Sequence, residues 1–142
     1  MALKLNAKQR FPIRPPLVEM LSMCLRVLVA DDSSAMRKII VRALHAAGAG
    51  AVTEAADGDE AVQRFAAGGF DLVLTDWNMP GKTGLEVVQE IRAQDATAKI
   101  MMITTEAEPT RVAQAIEAGV SDYLVKPFTA EALREKLQKH GL

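Results

Sequence analysis

Asp31 and Asp32 follow the apolar run Leu25–Ala30, Asp76 follows Asp71–Thr75, Thr104 ends Lys99–Thr104, and Lys126 follows Ser121–Val125. A single Asp at the end of an apolar run is commonly a turn or cap residue. Five polar residues in the same relation to four runs form a constellation instead. Brought together, its three carboxylates repel: at about 4 Å and an effective dielectric of about 20, one like-charge pair costs about 4 kcal/mol. Lys126 offers one positive charge against three negative ones. A divalent cation restores the balance, and an all-oxygen site with room for water and phosphate favours Mg²⁺. Zinc has no support, since His45 and His140 lie 95 positions apart on different helices and the chain has one cysteine. Both histidines read as surface residues, His140 also complementing a helix C-terminus.

These residues meet only if the runs are strands of one sheet. Short β-rich runs alternate with helical periods from Leu25 onward. Strands are expected over Leu25–Ala30, Ala51–Ala55, Asp71–Thr75, Lys99–Thr104 and Ser121–Val125. Helices are expected from the Ser33-Ser34 cap to Gly48, over Asp59–Ala67 and Thr83–Gln94, from Pro109 to Gly119, and over Ala130–His140. Five strand–helix units in succession specify an α/β fold, a parallel sheet covered by helices on both faces. Ligand sites in such sheets lie beyond the carboxyl ends of the strands, where the constellation falls.

Composition sets outer limits. The 142 residues are 49% hydrophobic and 25% charged, typical of one globular domain rather than a disordered or disulfide-framed chain. No apolar run approaches the roughly 18 residues needed to span a bilayer. The lone Cys24 cannot form an internal disulfide, so a reducing cytoplasm is the expected setting. Residues 1–24 carry four bases and one acid, and Pro12, Pro15 and Pro16 forbid a continuous helix there. They read as a flexible N-terminal extension, as an artefact of a start at Met20 or Met23, or as an apolar cap or self-association segment. Residues 25–142, the expected domain, retain 13 bases and 17 acids, a net charge of −4. An acidic domain is a poor partner for phosphate backbones, so direct nucleic-acid binding is not expected.

The segments Asp31-Asp32-Ser33-Ser34-Ala35-Met36-Arg37, Asp76-Trp77-Asn78-Met79-Pro80-Gly81, Thr104-Thr105-Glu106 and Tyr123-Leu124-Val125-Lys126-Pro127-Phe128 carry a more specific signal. Together they resemble the receiver domain of bacterial two-component response regulators, most closely the stand-alone CheY-like chemotaxis regulators. The resemblance implies a flavodoxin-like doubly wound sheet of strand order 2-1-3-4-5, the order of flavodoxin and CheY, with its switch point between strands one and three. It also implies roles. Asp76 would accept a phosphoryl group from a histidine kinase or a histidine phosphotransfer protein. Asp31, Asp32, Asp76 and the backbone carbonyl of Asn78 would hold Mg²⁺. Lys126 would pair with a phosphoryl oxygen, Thr104 would move toward another, and Tyr123 would then rotate inward. Asn78 and Glu106 would tune aspartyl-phosphate lifetime, and Lys126-Pro127 would be a cis peptide. The implied protein is a cytoplasmic monomer, a phosphoacceptor rather than a metabolic enzyme, acting on a protein target such as a flagellar switch. A phosphorelay carrier and a phosphate sink belong to the same class.

Glu108-Pro109 departs from the lysines that the enteric motor-binding regulator carries at the start of helix four. Arg37, Lys38 and Arg42 read either as a solvated helix face or as part of a kinase-docking face. Gly81-Lys82-Thr83 resembles the end of a phosphate loop, but Asp76 stands where that loop needs glycine, so it reads as a turn into a helix. An aspartate-nucleophile phosphohydrolase of the haloacid dehalogenase type needs an acid two positions after its nucleophile, and Asn78 cannot serve.

Overall fold

The computed structural model describes residues 25–105 and 108–142. The expected extension over 1–24 and Glu106 lie outside those residues. The strands are β1 (Arg26–Ala30), β2 (Ala51–Ala55), β3 (Leu72–Asp76), β4 (Lys99–Thr104) and β5 (Asp122–Val125). Among the described residues the helices are α1 (Ser34–Ala46), α2 (Gly58–Ala66), α3 (Gly84–Gln94), α4 (Pro109–Ala118) and α5 (Ala130–Lys139). All strand pairs are parallel, in the order β2-β1-β3-β4-β5. The flavodoxin-like order expected from the resemblance is the order found.

Strand side chains alternate between two cores, as the period of two requires. Leu28, Ala30, Val73, Ile100 and Met102 face α2, α3 and α4, meeting Phe65, Val88, Ile91 and Ala115. Val27, Val29, Leu72, Leu74, Met101 and Ile103 face α1 and α5, meeting Ile40, Leu44, Leu133 and Leu137. Central strands covered on both faces need continuous apolar runs, and Ile100-Met101-Met102-Ile103 is almost wholly buried. No helix among the described residues is long and apolar enough to cross a membrane.

Helix starts follow the polar signals. Ser33 Oγ accepts from Met36 N at 3.1 Å, Asp57 Oδ1 from Glu60 N at 2.8 Å, and Thr129 Oγ1 from Ala132 N at 3.0 Å. Thr83 and Glu86 form a reciprocal capping box. α4 has no side-chain cap; Pro109 opens it, and Gly119 closes it with φ of 108°, a left-handed conformation that favours glycine. Several element boundaries shift by one residue. The one with consequence is at β3, where Asp76 is itself a ladder residue opposite Ile103 rather than a loop residue beyond the strand.

His140, expected at the surface, is instead largely covered. It follows α5, is 16% exposed at its side chain, and its Nε2 lies 2.8 Å from Asp122 Oδ2. Lys136 Nζ lies 2.8 Å from Asp122 Oδ1, and Lys139 Nζ is 3.7 Å from Oδ2. This cluster fastens the end of α5 to the start of β5. Burial alone would raise the Asp122 carboxyl, but hydrogen bonds from Lys136, His140 and the Tyr123 N–H outweigh it and hold it at about 2. A carboxyl lower in the folded than the unfolded chain stabilises the fold above its ordinary value of 3.8, and that stability fades as pH falls toward 2. Allowing for partial screening, Asp122→Asn should cost about 1–2 kcal/mol at neutral pH. Urea unfolding at stepwise lower pH should show the gap to the native chain closing below pH 4, the ordinary carboxylate range.

Candidate functional site

The register sets the site. Asp31 continues β1, its N–H donating to the Ala55 carbonyl of β2 at 3.1 Å. Asp76 ends β3 beside it, and Lys126 N donates to the Thr104 carbonyl at 2.8 Å, carrying β5 one step past β4. Parallel strands therefore deliver Asp31, Asp32, Asp76, Thr104 and Lys126 to one edge, beside the switch point between β1 and β3. Carboxylate oxygens of Asp31, Asp32 and Asp76 all lie within 4.8 Å of one another. Asp31 is 1% exposed, Asp76 is partly buried and Asp32 is exposed. The cluster is thus closed off at Asp31 and reaches solvent at Asp32.

Lys126 enters from across the sheet, its Nζ 3.0 Å from Asp31 Oδ2 and 3.5 Å from Asp76 Oδ1. Lys126-Pro127 is a cis peptide, as the resemblance implied. Burial pushes the Asp76 carboxyl above its ordinary value; Lys126 pulls it down, and the neighbouring Asp31 charge pushes it up again. One lysine therefore leaves the cluster with surplus negative charge. Three hard carboxylates, partly buried and underneutralised, suit a hard divalent cation such as Mg²⁺ and not a soft one.

Thr104 is buried and opposite Val125 in register. Tyr123 lies on β5 opposite Met102, partly buried against the α2–α4 core. Asn78 is exposed, two residues past Asp76. The expected tuning partner Glu106 lies outside the described residues. Lys82 turns away from the edge to Asp59, at 3.3 Å, and Glu90, at 2.9 Å, so Gly81-Lys82-Thr83 is the turn into α3 and not a phosphate loop.

Three features escaped the sequence. Gly84, the first residue of α3, packs against the backbone of Asp76 and Trp77, where an added Cβ would collide with the Asp76 carbonyl. The Arg111 guanidinium of α4 lies 4.9 Å from the centroid of the Trp77 ring, joining α4 to the residue after Asp76. Arg37 is not simply a solvated residue of α1: it bonds Glu54 and the Asp31 carbonyl. Lys38 and Arg42 remain exposed.

A response regulator receiver domain profile matches residues 27–138. The chemotaxis protein CheY of Pseudomonas aeruginosa is 41% identical over 117 residues, covering 81% of this chain and 94% of that protein. The solved structure of chemotaxis response regulator CheY4 of Vibrio cholerae aligns with a TM-score of 0.75 and 37% identity, over 82% of this chain and 98% of that one. A CheX–CheY–BeF₃–Mg²⁺ complex from Borrelia burgdorferi aligns with a TM-score of 0.79 and 25% identity, over 83% and 90%. The fold, the strand-edge cluster and these matches define a doubly wound signalling domain with an acidic pocket. The chain belongs to the response regulator receiver family, and within it is CheY-like.

Because the folded state raises the Asp76 carboxyl, its ionised form opposes folding. Asp76→Asn should therefore raise the thermal midpoint in metal-free buffer at neutral pH, read by circular dichroism with a chelator present.

Proposed function

We propose that this chain is a Mg²⁺-dependent response regulator acting in chemotaxis, switched by phosphorylation of Asp76. The observation that carries this reading is the convergence of Asp31, Asp32 and Asp76 within 4.8 Å, with Lys126 beside them, at the carboxyl edge of a parallel sheet. Asp31, Asp32, Asp76 and the Asn78 backbone carbonyl would hold the ion. When bound, Mg²⁺ offsets the negative charge between these carboxylates and an incoming phosphoryl group.

The protein's own residues do the rest. Asp76 is the nucleophile: one carboxylate oxygen bonds to phosphorus as the P–N bond of a kinase phosphohistidine breaks, and the imidazole leaves with the electron pair. The ladder position of Asp76 holds that oxygen in place, which is what an in-line transfer needs. Lys126 pairs with one phosphoryl oxygen as a point charge. The Thr104 hydroxyl donates to another, and that contact exists only when the phosphoryl group is present. Tyr123 fills space vacated on the β5 side, changing the surface made by α4, β5 and α5. A contact made in one state only is what shifts a population between two conformations.

Asn78, two residues after Asp76, and Glu106, two after Thr104 in the sequence, set the rate of hydrolysis. The chain is a phosphoacceptor that promotes its own phosphorylation and dephosphorylation, not a metabolic enzyme. Its partners are a chemotaxis histidine kinase and a protein target such as a flagellar switch, in the cytoplasm. That the B. burgdorferi CheY complex contains BeF₃ and Mg²⁺ together supports the reading of a metal used with an anion.

Trp77 reports the test, because it is the only tryptophan, it directly follows Asp76, and its backbone N–H donates to Asp76 Oδ1 at 2.8 Å. Its fluorescence should change on adding MgCl₂ and change again, reversibly, on adding acetyl phosphate. In Asp76→Asn the second change should vanish. A native chain silent to both additions would instead mark a receiver that works as a constitutive interaction domain.

A further inference from the structure

The carboxylate cluster depends on more than its own three residues. Asp31 is fixed three ways: its N–H meets the Ala55 carbonyl at 3.1 Å, its Oδ1 accepts from Ser33 N at 2.9 Å, and its Oδ2 accepts from Lys126 at 3.0 Å. Asp32 is exposed, and the Asp31–Asp32 peptide sets the backbone from which its side chain starts. The carbonyl of that peptide accepts from Arg37 Nη1 at 2.7 Å. Arg37 sits in the first turn of α1, is 16% exposed, and has its Nε 2.9 Å from Glu54 Oε1. Glu54 is the β2 residue just before Ala55, the same stretch that receives the Asp31 N–H.

We propose that Arg37, braced by Glu54, is a positioning residue for the acidic cluster: it locks the Asp31–Asp32 peptide so that both carboxylates face one ion. The claim rests on the cluster being a metal site. A guanidinium suits the task because its planar fork bonds a carboxylate and a carbonyl at once, which a lysine ammonium on its flexible stem does not reproduce. Without Arg37, the carbonyl of a peptide whose first residue is 1% exposed loses its partner. Peptides in that position rotate to recover one, and Asp32 swings with the rotation.

The sign of one measurement separates positioning from charge. Arg37 is also a cation near a cation site, so by charge alone its removal would tighten Mg²⁺ binding. Positioning predicts the opposite, since outer partners of metal ligands are typically worth about 10–100-fold in affinity. The experiment is calorimetric titration of the full chain with MgCl₂ alone, for the native protein, Arg37→Met, Arg37→Lys and Glu54→Ala. Circular dichroism first establishes that each is folded. Arg37→Met and Arg37→Lys should each weaken binding about tenfold or more, and Glu54→Ala should weaken it less. Equal or tighter binding by Arg37→Met overturns the proposal, as does native affinity in Arg37→Lys, which alone decides should the methionine variant fail to fold. A native chain that binds no Mg²⁺ overturns the metal reading itself, a separate outcome.

Discussion

Three carboxylates lie within 4.8 Å of one another with a single lysine among them, and the surrounding structure is organised to hold this repulsion in place. Like charges at such spacing cost several kcal/mol per pair unless offset. A flexible loop would let them part. Here Asp31 and Asp76 are fixed by strand hydrogen bonds, the first to Ala55 and the second in register with Ile103. The strands are in turn immobilised by two apolar cores whose central side chains are inaccessible to water. Stability invested in Leu28, Leu74, Met101 and Ile103 is thus what keeps an unfavourable charge arrangement intact, and that arrangement gives the edge its appetite for a hard cation.

The same edge is tied mechanically to the helices around it. Trp77 follows Asp76, donates its backbone N–H to the Asp76 carboxylate at 2.8 Å, and has its ring capped by Arg111 of α4. The Trp77 carbonyl accepts from Gly84 N at 2.7 Å, so α3 begins against the same backbone. Lys126 and Thr104 share a backbone hydrogen bond, coupling the ends of β4 and β5. A change of charge or volume at Asp76 therefore meets α3, α4 and β5 directly. Receiver domains work by such changes, and the packing here gives the change a short path to travel.

Much of this was legible in the sequence because it is local. Apolar alternation with Gly and Pro punctuation identified every strand and helix among the described residues, and the strand ends pointed to Asp31, Asp32, Asp76, Thr104 and Lys126. The strand order came from resemblance, since periodicity says nothing of which strands are neighbours. What was missed depends on contacts between distant residues. Arg37 and Glu54 are 17 positions apart and have no shared motif. His140 meets Asp122 across 18 positions, and only the packing of α5 on β5 brings them together. The close packing of Gly84 on the Asp76 backbone went unread because no sequence rule encodes how close another backbone will come. The ladder position of Asp76 was off by one residue, and that residue decides whether its carboxylate is rigid.

The central claim is that the cluster turns Asp76 into a metal-dependent phosphoryl acceptor. Intact-mass measurement after incubation with acetyl phosphate tests it most directly, with MgCl₂ or with chelator, followed by peptide mapping. The account predicts a mass gain of one phosphoryl group, located on Asp76, that appears with Mg²⁺, disappears with chelator and is absent in Asp76→Asn. Phosphoryl gain that persists in chelator, or that maps to a residue other than Asp76, would contradict it.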